Sequence, residues 1–245
     1  MIAVRRLYRW AVARDVLFAD PTTSIEKPLT RSGERERVLD DGEIIRFWHG
    51  CEALGYPYGP LFQLLLLTAQ RRDEVGEMQW HELADLEHRV WHLPPAAARN
   101  QSSRTKNSKA HDVHLSDPAL AIINALPRFA PLPGKPDYVF SVRGDRPVGY
   151  ADAKARLANA MGVTDWRLHD LRRTATTLMA RLKVAPHVAE RVINHKSGTF
   201  RGVAGVYNRF QYRDEHQAAL EALGRFVESL VRPEAGGDNV VALRG

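Results

Sequence analysis

The chain has a single cysteine, Cys51, so no internal disulfide can staple it, and a reducing, cytoplasmic compartment is expected. Nowhere in its 245 residues do uncharged apolar side chains run for the ~18 positions that a membrane span needs, so no membrane partner is expected. The longest such run, Leu64 to Leu67 with its neighbours, has the length of a buried core helix. The opening MIAVRRLYRW carries arginines among its apolar positions and has no small-residue cleavage site, so it does not read as a secretory signal. Metal-binding patterns are missing as well. There is no His-Glu-x-x-His, and His111 and His114 would face opposite sides of a strand. Gly134-Lys135 is followed by Pro136 rather than Ser or Thr, which rules out a phosphate-binding P-loop, and no Gly-x-Ser-x-Gly elbow occurs. Asn100-Gln101-Ser102 forms a glycosylation sequon that means nothing without secretion. No cofactor is therefore expected. Acidic charge is in short supply: 29 Asp and Glu face 35 Lys and Arg, for a net charge of +6. A basic excess favours a polyanionic partner, because each cation that meets a phosphate releases condensed counterions. It carries weight only if the basic residues converge.

What is present is mostly helical periodicity. Residues 1 to about 15 place Val4, Leu7, Trp10 and Ala11 on one stripe. The stretch from Ala19-Asp20-Pro21 to Arg37, with Pro28 and Gly33, reads as a linker. A new domain is expected from near Val38, where Asp40 can cap a helix with Glu43 three residues on and Leu39 can staple against Ile44. Pro60 suits the first turn of the next helix, which is expected to run through Leu61 to Leu67 into Thr68-Ala69-Gln70-Arg71-Arg72. Arg89 to Leu93 and His111 to Leu115 read as short strands around a long polar loop, and Leu120 to Leu126 as a helix. Helical spacing then returns from Ala151. Leu168, Leu171, Ala175, Leu178 and Leu182 make a one-faced stripe, Val188 to Ile193 a short helix, and Arg213 to Leu230 a final one. The tail after Arg232 reads as loose. The expected fold class is mainly α with a small antiparallel β-sheet.

Four fragments could carry chemistry. His169-Asp170-Leu171-Arg172 sets a histidine and an arginine on one flank near a helix start, where the arginine's planar fork and the helix terminus both favour a phosphate. Thr68-Ala69-Gln70-Arg71-Arg72-Asp73-Glu74 ends an apolar helix in two arginines and two carboxylates. Arg104-Thr105-Lys106-Asn107-Ser108-Lys109 is a basic turn between the strands. Ile193-Asn194-His195 follows a short helix, at a place where Asn accepts the left-handed conformation, and precedes Val206-Tyr207-Asn208-Arg209. Each fragment alone also describes an ordinary solvated helix end, loop or core tyrosine.

Taken in order, Arg71, Lys106, His169-x-x-Arg172, His195 and Tyr207 resemble the catalytic set of the tyrosine recombinase, or phage-type integrase, family. The resemblance covers about residues 36 to 230, and Gly202 to Arg209 is similar to the branch that holds phage and genomic-island integrases. It implies residues 1–28 as the end of a core-binding domain plus linker, 36–231 as the catalytic domain in that family's fold, and 232–245 as a flexible tail. The implied partners are double-stranded DNA attachment sites, further copies of the chain in a tetramer on DNA, and DNA-bending or directionality factors. Ala69 and Asp73 stand where the family often has glycine, and Asn194 replaces a usual glycine; none of these is a reacting group.

The resemblance also implies roles. Tyr207 attacks the DNA backbone to form a 3′-phosphotyrosine link, and nearby cations must favour its phenolate against a reference pKa near 10. Arg71 and Arg172 clamp the non-bridging oxygens; removing one such donor typically costs ~3 kcal/mol, about a hundredfold. Lys106 protonates the leaving 5′-oxygen, with Lys109 as the alternative lysine. His169 moves protons, His195 bonds the phosphate, and Glu74 orients Arg71 or a histidine. Tyr212 is the competing nucleophile. Five residues on, it would point about 140° away on a continuous helix. The implied activity is integration or excision of a mobile element. A truncated, non-catalytic DNA-binding remnant and a type IB topoisomerase are the other readings.

Overall fold

A computed structural model describes residues 2–25, 35–95, 110–145, 149–194 and 213–233. The chain divides into two compact units, Met1–Glu36 and Arg37–Gly245. In the first, helix α1 (Ile2–Val12) keeps Val4, Leu7 and Trp10 exposed along the expected stripe. Asp20 closes the following turn by accepting from the Thr22 amide at 2.8 Å.

The larger unit opens with α2 (Asp41–Leu54). Asp40 accepts from the Glu43 amide at 2.8 Å while Glu43 accepts from the Asp40 amide at 3.0 Å, a reciprocal cap that satisfies two otherwise orphaned donors. Leu39 and Ile44, on either side of that cap, are both buried. Helix α3 (Tyr58–Thr68) is apolar on every side and buried almost throughout, which fits only the middle of a domain. Contrary to the expected continuous run, α3 stops at Thr68. Ala69 takes a left-handed conformation (φ 55°), and Arg71 precedes a separate short helix α4 (Arg72–Gly76). A left-handed residue cannot propagate a right-handed helix, and it turns the chain so that Arg71 leaves at an angle.

Strands β1 (Val90–Leu93) and β2 (His111–His114) pair antiparallel, Val90 opposite His114 and Leu93 opposite His111. Trp91, Leu93 and Val113 face the core, and the Trp91 indole donates to buried Glu82 at 2.9 Å. Helix α5 spans Asp117–Asn124, three residues earlier than the spacing suggested, because Pro118 occupies its first turn. Helices α6 (Tyr150–Met161), α7 (Leu168–Arg181), α8 (Pro186–Val192) and α9 (Arg213–Val231) complete the described elements.

The core forms around α3, on which α2, α5, α7 and α9 pack. Phe47 meets Trp166 edge to face at 5.9 Å. Helix α9 docks on its own chain through Ala219, Leu220, Leu223, Val227 and Val231. A Cβ on Gly224 would lie 2.5 Å from the Ser116 hydroxyl, so α9 approaches α5 this closely only with glycine there. The result is a mainly helical domain with one two-stranded sheet among the described residues.

Candidate functional site

The junction of α3 and α4, the first turns of α7 and the end of α8 meet at one place. Arg71 leaves the left-handed turn at Ala69 and is held by Glu74, which accepts from the Arg71 amide and from its Nη1, both at 2.8 Å. The Glu74 side chain is 1% exposed and that of Arg71 25%, so the carboxylate is a fixed anchor and part of the guanidinium stays available. Arg172 rises from α7 with 6% exposure. Its Nη1 donates to Ala69 O at 2.6 Å and its Nη2 to Ile193 O. These carbonyls close the C-terminal ends of α3 and α8, where peptide dipoles place negative potential, so one guanidinium fastens three helices.

The end of α8 is bound residue by residue. Val192 O accepts from Gln70 Nε2 at 2.8 Å and lies 3.1 Å from His111 Nε2. Ile193 O accepts from Arg172, and Asn194 O lies 3.5 Å from Arg71 Nη2. Asn194 adopts the left-handed conformation (φ 48°) that Asn tolerates better than most residues. The chain therefore leaves α8 toward residue 195 from a point fixed by the same arginines.

The electrostatics follow from this crowding. Burial, then the neighbouring Arg71, lowers the Arg172 pKa to about 10, so it still carries its charge at neutral pH. His169 is exposed on the same side of α7. Desolvation, then the guanidiniums of Arg173 and Arg172, pull its pKa below the ordinary histidine value, which favours a neutral, proton-accepting imidazole. His111, more deeply set, is lowered by burial. Arg71, His169 and Arg172 line one wall of a cavity of about 620 Å³, and Arg72, Lys154 and Arg167 line the rest of its basic rim.

Of the residues singled out from the sequence, Arg71, Glu74, His169 and Arg172 come together here. Lys106, its alternative Lys109, His195, Tyr207 and its competitor Tyr212 lie outside the described residues. Asp73 pairs with Arg72 at 2.8 and 3.2 Å rather than with Arg71. Sequence reasoning passed over Gln70 and His111 as site residues. His111 lies at the start of β2, and a strand's alternation says which face a residue is on but not which helix end it will meet. No group of three metal-ligating side chains occurs among the described residues.

Comparisons with known proteins bear on the fold and the family. The chain is 29% identical over 163 residues to prophage integrase IntA of Escherichia coli (strain K12), a match covering 66% of this chain and 36% of that relative. It thus spans about a third of that relative's length. The integrase of mycobacterium phage Brujita superposes with a TM-score of 0.54 at 16% identity, over 90% of this chain and 69% of the other. The Tn1549 transposon integrase, solved in complex with a circular intermediate DNA, gives 0.60 at 16% identity, over 89% and 76%. At such identities these two establish a shared fold. Residues 37–211, well over half of the chain, match the phage integrase family and include Lys106, His195 and Tyr207 as well as the residues gathered here; the chain belongs to the phage integrase family.

Proposed function

We propose that this protein is a tyrosine-type site-specific recombinase that integrates or excises a mobile element by cutting and rejoining DNA without metal or ATP. The observation that carries the reading is the convergence of Arg71, Arg172 and a deprotonation-prone His169 on one cavity wall, in a chain of this family. Phosphodiester cleavage without metal needs cations on the non-bridging oxygens, and these two arginines are preorganised for that task by Glu74 and by two helix ends.

In the proposed reaction the Tyr207 oxygen bonds to phosphorus as the bond to the 5′-oxygen breaks. His169 takes up the phenol proton and Lys106 delivers one to the leaving oxygen. His195 bonds the phosphate, and reversal by a 5′-hydroxyl rejoins the strand. Because the 3′-phosphotyrosine link retains the bond energy, no nucleotide is consumed. Double-stranded attachment sites are the substrates, and a tetramer on two duplexes, with bending or directionality factors, is the working assembly. Residues 1–28 belong to a core-binding domain and its linker, 36–231 form the catalytic domain, 232–245 are a tail, and the protein works in the cytoplasm on the nucleoid. The second reading is a DNA-binding remnant that does not recombine.

A nicked suicide substrate carrying the element's own attachment site separates the two. A covalent protein–DNA adduct on a denaturing gel, lost in Tyr207→Phe, is expected. No adduct with the native chain favours the remnant, and relaxation of any supercoiled plasmid would indicate a topoisomerase instead.

A further inference from the structure

The cavity beside Arg71 is larger than one phosphate requires, and its remaining wall is built differently. Arg72 and Lys154 each lie on the face of an aromatic ring. The Arg72 guanidinium is 5.0 Å from the Tyr150 ring centre and the Lys154 ammonium 5.1 Å from that of Trp166. Arg72 is also fixed by Asp73 through Nε and Nη2, and Lys154 by the Thr164 carbonyl at 3.0 Å. Arg167, the residue preceding α7, is exposed at the same rim. Five cations (Arg71, Arg72, Lys154, Arg167 and Arg172), all but Arg167 held by the contacts above, thus line one cavity with a single carboxylate, Asp73. A flexible lysine or arginine loses side-chain entropy when it grips a ligand, and resting on a ring removes part of that loss in advance.

We infer that Arg72, Lys154 and Arg167 form a second phosphate seat, which holds a DNA backbone phosphate next to the one gripped by Arg71 and Arg172. Each ring carries a cation on one face and Trp166 is buried, so this wall recognises backbone charge rather than an unstacked base. Arg72 keeps Nη1 free of the Asp73 bidentate contact, and that atom can turn to a phosphate without breaking the pair. The seat would set the register of the strand across the cavity, and it rests on the DNA-cleaving function proposed above.

The test is the salt dependence of binding of the native chain and its variants to a random-sequence duplex, followed by fluorescence anisotropy between about 50 and 200 mM salt. Each phosphate contact contributes about 0.9 to the slope of log K against log salt, or about eightfold in affinity near 0.1 M. The doubly substituted Arg72→Gln, Lys154→Ala chain is expected to lose about 0.9 from the slope, the share of the one phosphate held in the seat. Lys154→Arg should retain it. Lys135→Gln, which removes a lysine paired with Asp145 outside the cavity, should leave the slope unchanged. Native-chain binding with an unaltered slope in the double variant overturns the seat alone. A native chain with no salt-dependent affinity overturns the DNA-cleaving reading and the seat together.

Discussion

Glu74→Gln is the most informative single change, because it keeps shape and removes only the charge that aims Arg71. In the native domain the buried carboxylate accepts twice from one residue, at the Arg71 amide and at Nη1, both at 2.8 Å. A glutamine can meet one of these donors with its oxygen, but its amino group must then face the other, donor against donor. A hydrogen bond to a charged partner contributes about 1.5–3 kcal/mol. The larger penalty of a fully buried broken ion pair does not apply, since Arg71 is a quarter exposed and can turn to water. A loss of about 2 kcal/mol in a domain of this size lowers Tm by about 4–8 °C. Freed from its anchor, Arg71 no longer arrives preoriented, and cleavage should fall by about one to two orders of magnitude, short of complete removal of the donor. Thermal unfolding followed by circular dichroism and single-turnover cleavage of a suicide substrate, well below the variant's Tm, read the two effects separately. A variant that loses stability but cleaves at the native rate would show that the pair is merely structural and that Arg71 needs no such guide.

Three further outcomes follow from the same geometry. Arg172→Lys keeps the charge but cannot reach both Ala69 O and Ile193 O; one helix-end carbonyl is left without its partner, Tm should fall by about 4–8 °C, and cleavage by about a hundredfold or more. Because burial and the flanking guanidiniums lower the His169 pKa, the acid limb of the cleavage-rate profile should lie below the ordinary histidine range, and Arg173→Gln, which removes a repelling guanidinium and its 2.6 Å ion pair with Asp170, should move that limb to higher pH. His216, whose buried Nε2 has no hydrogen-bond partner among the described residues, has its pKa lowered to about 4 by burial and the neighbouring His111. The unfolded chain therefore binds more protons below about pH 6.5, so denaturant-measured stability should fall between about pH 6.5 and 4 by up to ~3 kcal/mol, and His216→Gln should flatten that window.

How far the sequence could be read depended on the range of the interactions concerned. The cap at Asp40, the stripe of α7 and the pairing of β1 with β2 are local patterns, and the fold follows them closely. The arrest of α3 at Thr68 was missed because the surrounding residues favour helix, and only the tertiary demand for a turn at Ala69 overrides them. Arg71, Glu74, His169 and Arg172 could be named because their residue types and order resemble a family. The sequence did not show that Arg172 would bridge the ends of α3 and α8. Nor did it show that Gln70 and His111 would share the Val192 carbonyl, since their partners lie 122 and 81 residues away. The aromatic supports of Arg72 and Lys154 escaped notice for the same reason, although each cation and its ring are ordinary residues on amphipathic elements.

If Tyr207 is the nucleophile, its phenol becomes joined to DNA. Trapping the adduct on a suicide substrate, digesting the DNA to a nucleotide stub and cleaving the protein after Lys and Arg settles it by mass spectrometry, because the peptide of residues 202–209 contains Tyr207 and that of 210–213 contains Tyr212. The phosphonucleotide mass is expected on the 202–209 peptide; its presence on the 210–213 peptide, or on neither, would rule out Tyr207 as the nucleophile.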